Sequence, residues 1–90
     1  MSVIYLHLGQ DTVVKTADIL GIFDMDTSTV SKPTRDFLNI AEKSGNVINV
    51  SFELPKSFVV CNENKNLKVY ISQISPTTLQ RRAVLNKFIF

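Results

Sequence analysis

The apolar residues of this chain come in short runs, each closed by a turn signal, and that spacing decides what it can fold into. Val3-Ile4-Tyr5-Leu6-His7-Leu8 ends at Gly9, and Ile19-Leu20-Gly21-Ile22-Phe23 ends at Asp24. Val47-Ile48-Asn49-Val50, Ser57-Phe58-Val59-Val60-Cys61 and Leu67-Lys68-Val69-Tyr70-Ile71-Ser72 follow, with Thr12-Val13-Val14 as a briefer segment. Runs of this length are too short for buried helices and read as strands. In the first, period-2 alternation sets Ile4, Leu6 and Leu8 on one face and Val3, Tyr5 and His7 on the other. The run at 19–23 is apolar on both faces, which predicts a central, covered strand, with Gly21 marking a bulge or a close approach. Gln10-Asp11, Glu53-Leu54-Pro55-Lys56 and the polar segment Asn62-Glu63-Asn64-Lys65-Asn66 are the expected turns.

Helical spacing occurs in two places. Val30, Thr34, Phe37, Leu38 and Ala41 fall at i, i+4, i+7, i+8 and i+11, with Pro33 tolerated in a first turn and Gly45 as the stop. Ser75-Pro76 opens a second helix, with Leu79 and Ala83 inward and Gln80 and Arg81 outward. The expected fold is α+β: a single domain over residues 1–90, built as a small, mostly antiparallel sheet of about five strands with two helices.

The 90 residues are 44% hydrophobic and 20% charged, which describes a globular chain with one small core. The single cysteine, Cys61, leaves no internal disulfide framework and suits a reducing compartment. With no secretory leader pattern and no apolar run near the ~18 residues of a membrane span, the expected location is the cytoplasm, away from membranes. The net charge of +2 is uneven. Residues 1–45 hold four cations against six carboxylates, whereas residues 46–90 hold six against two. A basic half can face phosphate or an acidic protein.

The stretch Asp24-Met25-Asp26-Thr27-Ser28-Thr29 after an apolar run imitates the start of a phosphatase active site, where one Asp attacks phosphorus and the next protonates the leaving oxygen. That chemistry also needs a downstream lysine, a second acidic cluster for Mg²⁺ and a larger doubly wound sheet. Here the last Asp is Asp36, and the acidic residues after it are Glu42, Glu53 and Glu63, scattered singly. A calcium loop fails too, with Thr29 at the glycine position and Arg35 at the position of the bidentate glutamate. The segment reads instead as a helix start, in which Asp26, Thr27, Ser28 and Thr29 are competent N-caps. His7 lacks a ligand-spaced partner, and three dispersed glycines make no phosphate loop. No catalytic residue, metal or cofactor is expected, and no role is assigned to His7.

Phosphate contact is the remaining chemistry. Adjacent Arg81 and Arg82 project about 100° apart on a helix, so one is free to reach outward. Lys56 follows Pro55 on a short, stiff turn. These three are the candidate nucleic-acid contacts, with Lys65 and Lys68 next. The apolar tail Phe88-Ile89-Phe90 has no evident place in so small a core and is a candidate oligomer interface.

Several stretches carry a family likeness: Tyr5-Leu6-His7-Leu8-Gly9, Asp18-Ile19-Leu20-Gly21-Ile22-Phe23-Asp24, Phe37-Leu38 with Ala41-Glu42, Leu54-Pro55-Lys56-Ser57-Phe58-Val59-Val60, and Val69-Tyr70-Ile71-Ser72 with Ile74-Ser75, Thr78-Leu79 and Arg81-Arg82-Ala83. In these the whole chain resembles the RemB branch of the RemA/RemB-like extracellular-matrix regulators. The resemblance implies a small cytoplasmic regulator of biofilm-matrix gene expression. It also implies relatives that bind DNA directly and assemble into rings. RemA-like members carry arginines in the turn corresponding to residues 53–56 and another near Asp18; this chain keeps Lys56 alone and is acidic at Asp18. Two expectations follow: an oligomeric DNA-binding transcription regulator, or an oligomeric interaction module that acts through a protein partner without its own DNA site.

Overall fold

The computed structural model describes residues 4–88, with side chains through residue 83. In chain order the elements are β1 (Tyr5–Gly9), β2 (Thr12–Lys15), a 3-10 turn (Thr16–Asp18), β3 (Ile19–Asp24), α1 (Met25–Ser28), α2 (Lys32–Lys43), β4 (Val47–Asn49), β5 (Ser57–Glu63), β6 (Asn66–Ser72) and α3 (Pro76–Phe88). The α+β class matches the sequence reading, but its layout does not. The single sheet of about five strands becomes a β1-β2 hairpin plus a four-stranded sheet of order β3-β5-β6-β4, and three helices replace two. Among the described residues β1 and β2 pair only with each other, and the turn at Gly9 (φ 122°) and Gln10 (φ 47°) folds one straight back on the other. Pairing in the larger sheet is antiparallel except for β4 beside β6.

One face of that sheet takes the hairpin and α3. Alternation along β1 drives Leu6 and Leu8 inward, as expected, and they join Val14, Val59, Cys61, Tyr70 and Leu79 in one buried cluster. Two buried hydroxyls lock the layers together. Ser72 Oγ donates to the Leu8 carbonyl (2.7 Å) and Ser57 Oγ to that of Ile74 (2.8 Å). The opposite face is covered by α2, whose Phe37, Leu38 and Ala41 meet Phe58, Val60 and Val69.

Three local expectations are corrected. Among the described residues the 19–23 strand lies at an edge, hydrogen-bonded to β5 alone, with Leu20 63% and Phe23 40% exposed. Its apolar character on both faces reflects a groove described below, not a second paired strand. Gly21 does sit at a register shift, and a methyl group there would fall 2.5 Å from the Phe23 ring. The Asp24–Thr29 cluster forms its own one-turn helix, α1, instead of the start of α2. The cap is Asp24, whose Oδ1 accepts from the amides of Asp26 (2.8 Å) and Thr27 (3.0 Å). Val30 therefore falls in the connection, 77% exposed, and α2 begins at Lys32 with Pro33 in its first turn. Finally, the polar 62–66 loop shrinks to Asn64-Lys65. Both take positive φ (52° and 68°), the backbone of a two-residue hairpin turn, so Asn62, Glu63 and Asn66 stay paired in the ladder.

Candidate nucleic-acid interface

The segment after β4 returns to the sheet at Lys56, whose backbone is held on both sides. Its N–H donates to the Ser72 carbonyl (2.9 Å), and its own carbonyl accepts from Met25 N–H (3.0 Å). The side chain is exposed and enters no ion pair among the described residues. Pro55 fixes the approach, so backbone placement here is stiff while the ammonium stays solvated. Lys56 borders a shallow hollow with Leu54, Pro55, Asp24, Asp26, Ser75 and Pro76. The N-terminus of α3 lies on this hollow, and Ser75 Oγ accepts from Thr78 N–H (3.3 Å) as its cap. A helix start beside a lysine favours an anion. The carboxylates of Asp24 and Asp26 oppose one, although Asp24 is engaged in capping α1.

The other candidate cations are spread out. Arg81 and Arg82 are both exposed on α3. Arg82 Nη1 comes within 3.5 Å of the His7 carbonyl, a long contact that leaves the guanidinium mostly solvated. His7 is exposed and donates from Nε2 to the Gln10 carbonyl (2.7 Å), closing the β1-β2 turn. Lys65 occupies the tip of the β5-β6 hairpin and Lys68 the opening of β6. Ser57 pairs with Ser72 while Glu63 pairs with Asn66, so Lys56 and Lys65 lie at opposite ends of the sheet. Seven residues of strand separate them by roughly 20 Å. The fold thus places Lys56 near the start of α3 but gathers Lys65 and Lys68 elsewhere. The Phe88 side chain, Ile89 and Phe90 lie outside the described residues.

Two features escaped the sequence reading. Arg35 Nη1 donates to the carbonyls of Thr29 (3.0 Å) and Val30 (2.8 Å), tying the α1-α2 connection to α2. Its place in the helical wet face gave no hint of this. The second is a polar hollow at the far end of the sheet, lined by Tyr5, Lys15, Asp18, Glu63, Asn64 and Tyr70. Here the Tyr70 hydroxyl donates to Glu63, and burial together with that hydrogen bond raises its pKa. Burial first, then the charges of Glu63 and Asp18, pushes the Cys61 thiol up to about 12. A thiol held protonated in this way is a poor nucleophile.

Comparison with known proteins converges on one group. The family described as RemA-like, extracellular matrix regulatory protein A-like, matches residues 5–83. The chain is also 39% identical over 79 residues to Extracellular matrix regulatory protein B of Bacillus subtilis (strain 168), covering 88% of this chain and 89% of that protein.

Proposed function

This chain belongs to the RemA-like family of extracellular matrix regulatory proteins, and from that premise we propose that it is a self-associating, DNA-contacting regulator. In this reading it works in the cytoplasm, without catalysis, on transcription of biofilm-matrix genes. The observation that carries it is Lys56: a solvated ammonium on a turn clamped by two backbone hydrogen bonds, beside the start of α3. Contacts of this kind position a protein on phosphates without reading sequence. Arg81 and Arg82 on α3 add two further cations.

Self-association is part of the reading because of where the charges lie. The two places at which the family resemblance sets cations are the 53–56 turn and the vicinity of Asp18. Ile19 pairs with Cys61 and Asp24 with Ser57, so these places occupy opposite ends of the β3-β5 pair, roughly 20 Å apart. One subunit offers one or two phosphate contacts on any side, which binds negligibly; repeated subunits offer a row.

DNA binding followed by anisotropy across a salt series tests this. Binding should weaken as log salt rises, with about one phosphate neutralised per 0.9 units of slope. Lys56→Glu should lower affinity at least tenfold and flatten that slope, with the oligomer mass unchanged. A well-formed oligomer that ignores DNA at low salt would remove the DNA contact. The second reading, an interaction module acting through a protein partner, would then stand on the open β3 edge, where Leu20 and Phe23 are exposed.

A further inference from the structure

The face of the sheet that carries α2 is covered unevenly. Over β4 and β6 the helix packs closely, whereas beside the edge strand β3 it leaves a groove of about 580 Å³. Leu20, Phe23, Phe37, Phe58 and Val60 line it, together with residues of α1, of the α1-α2 connection and of the first turn of α2. Phe23 stacks on Phe58 at 5.1 Å between ring centroids, and Arg35 pins the α1-α2 connection beside it. The groove is therefore formed in advance.

At the other edge stands its opposite. Phe52 follows β4 by three residues and is fully exposed (108%). The turn that presents it is closed by Glu53 N–H donating to Ser51 Oγ (3.0 Å). Phe52 shares a hollow with Ile71, and Ile71 packs in the same cluster as Phe37, Phe58 and Val60. Phe52 and the groove thus belong to one face of the sheet. They cannot meet within one chain, since β5 and β6 lie between the edges and hold them about 14 Å apart.

We propose that Phe52 of a second copy of this chain seats in the groove between β3 and α2, with Glu53 against the N-terminus of α2, joining subunits head to tail. Direction agrees. β4 is parallel to β6, and β3 and β6 are both antiparallel to β5, so both edge strands run the same way. A copy displaced sideways without reversal brings the residues after β4 to the C-terminal end of β3, where Phe23 and the groove lie. Charge agrees as well. The first turn of α2 holds Lys32 and no acidic residue, and Ser31 makes no side-chain cap, so its amide end is open to a carboxylate. Asp36 pairs with Lys32 (2.8 Å), but Arg35 remains as a second cation there. An aromatic ring buries 150–250 Å² in such a contact. Because the two surfaces differ, every open assembly keeps one free knob and one free groove at its ends until a cycle closes.

The inference rests on the self-association in the reading above and not on its DNA contact. The experiment therefore measures mass by light scattering without DNA, on the full chain, with circular dichroism confirming the fold. Phe52→Asp and Leu20→Asp alter exposed side chains. Each alone should weaken association at least tenfold and run as a monomer. Mixed in equal amounts they should form a dimer and nothing larger, through the one knob and one groove left intact. The proposal is overturned by a monomeric parent, by Phe52→Asp at the parental mass, or by a mixture that stays monomeric. It is equally overturned if removing residues 88–90 dissolves the assembly while Phe52→Asp does not, which would make the tail the occupant. Anisotropy on the same samples reports separately on DNA.

Discussion

The two faces of the four-stranded sheet are built to different standards. Under α3 and the β1-β2 hairpin, Leu6, Leu8, Val59, Cys61 and Leu79 are each 0% exposed, and the buried serines Ser57 and Ser72 are hydrogen-bonded. Under α2, Phe58 and Val69 are buried, yet Leu20 and Phe23 stand open along β3. The first face holds the fold. The second holds it over β4, β5 and β6 and leaves an apolar surplus at the β3 edge. A small domain with few apolar residues to spare gains no stability from exposing them, so the open half is where association is to be looked for.

The sharpest way to break that contrast is to damage the closed face. Leu79→Ala removes the residue by which α3 enters the core and should cost about 2–5 kcal/mol. Urea unfolding should show an earlier midpoint with an unchanged slope. A smaller loss, about 1–3 kcal/mol, is expected from Ser72→Ala. It strands the Leu8 carbonyl and the Ile74 amide, which the Ser72 hydroxyl joins at 2.7 and 3.0 Å. Loss near zero would mean that water replaces the hydroxyl and that the hairpin is held by apolar contact alone.

How much of this contrast the residues declare depends on its range. Period-2 alternation places Leu6 and Leu8 against Tyr5 and His7, and Ser75-Pro76 starts α3, because both signals are local. Gly45, at φ 75°, ends α2 for the same kind of reason. The position of β3 is not local. An apolar run reads the same whether a strand or a groove covers its second face, so its pattern places 19–23 at the centre whereas the fold puts it at the edge. Likewise Pro55 marks Lys56 as rigid, while the separation of Lys56 from Lys65 emerges only once Ser57 is paired with Ser72. Ser72 and Arg35 matter through partners on other elements, and nothing in their neighbours along the chain foretells it.

The closed face also makes a pH prediction. The Cys61 thiol is raised to about 12 in the folded chain, against an ordinary value near 9. Below pH 9 both states hold the proton and stability is flat on this account. Between about 9 and 12 the unfolded thiol ionises while the folded one does not, so stability falls by up to about 1.4 kcal/mol per pH unit. Tyr70, raised in the same direction, steepens the fall once the unfolded phenol ionises near pH 10. Cys61→Ala should flatten the slope between pH 9 and 10, measured by urea unfolding across pH. An unchanged slope there would mean that the thiol already meets water in the folded state.

The smallest effect belongs to the open face and separates the two standards most cleanly. Leu20 is 63% exposed, so Leu20→Ser should move the unfolding free energy of the dilute chain by no more than about 0.5 kcal/mol. Raising protein concentration changes the question, because association that binds only folded chains adds stability with concentration. The parent should gain stability as it is concentrated, and Leu20→Ser should gain little. Equal gains would mean that the β3 edge takes no part in association. A large loss already at low concentration would mean that Leu20 supports the monomer, and that the groove belongs to the core after all.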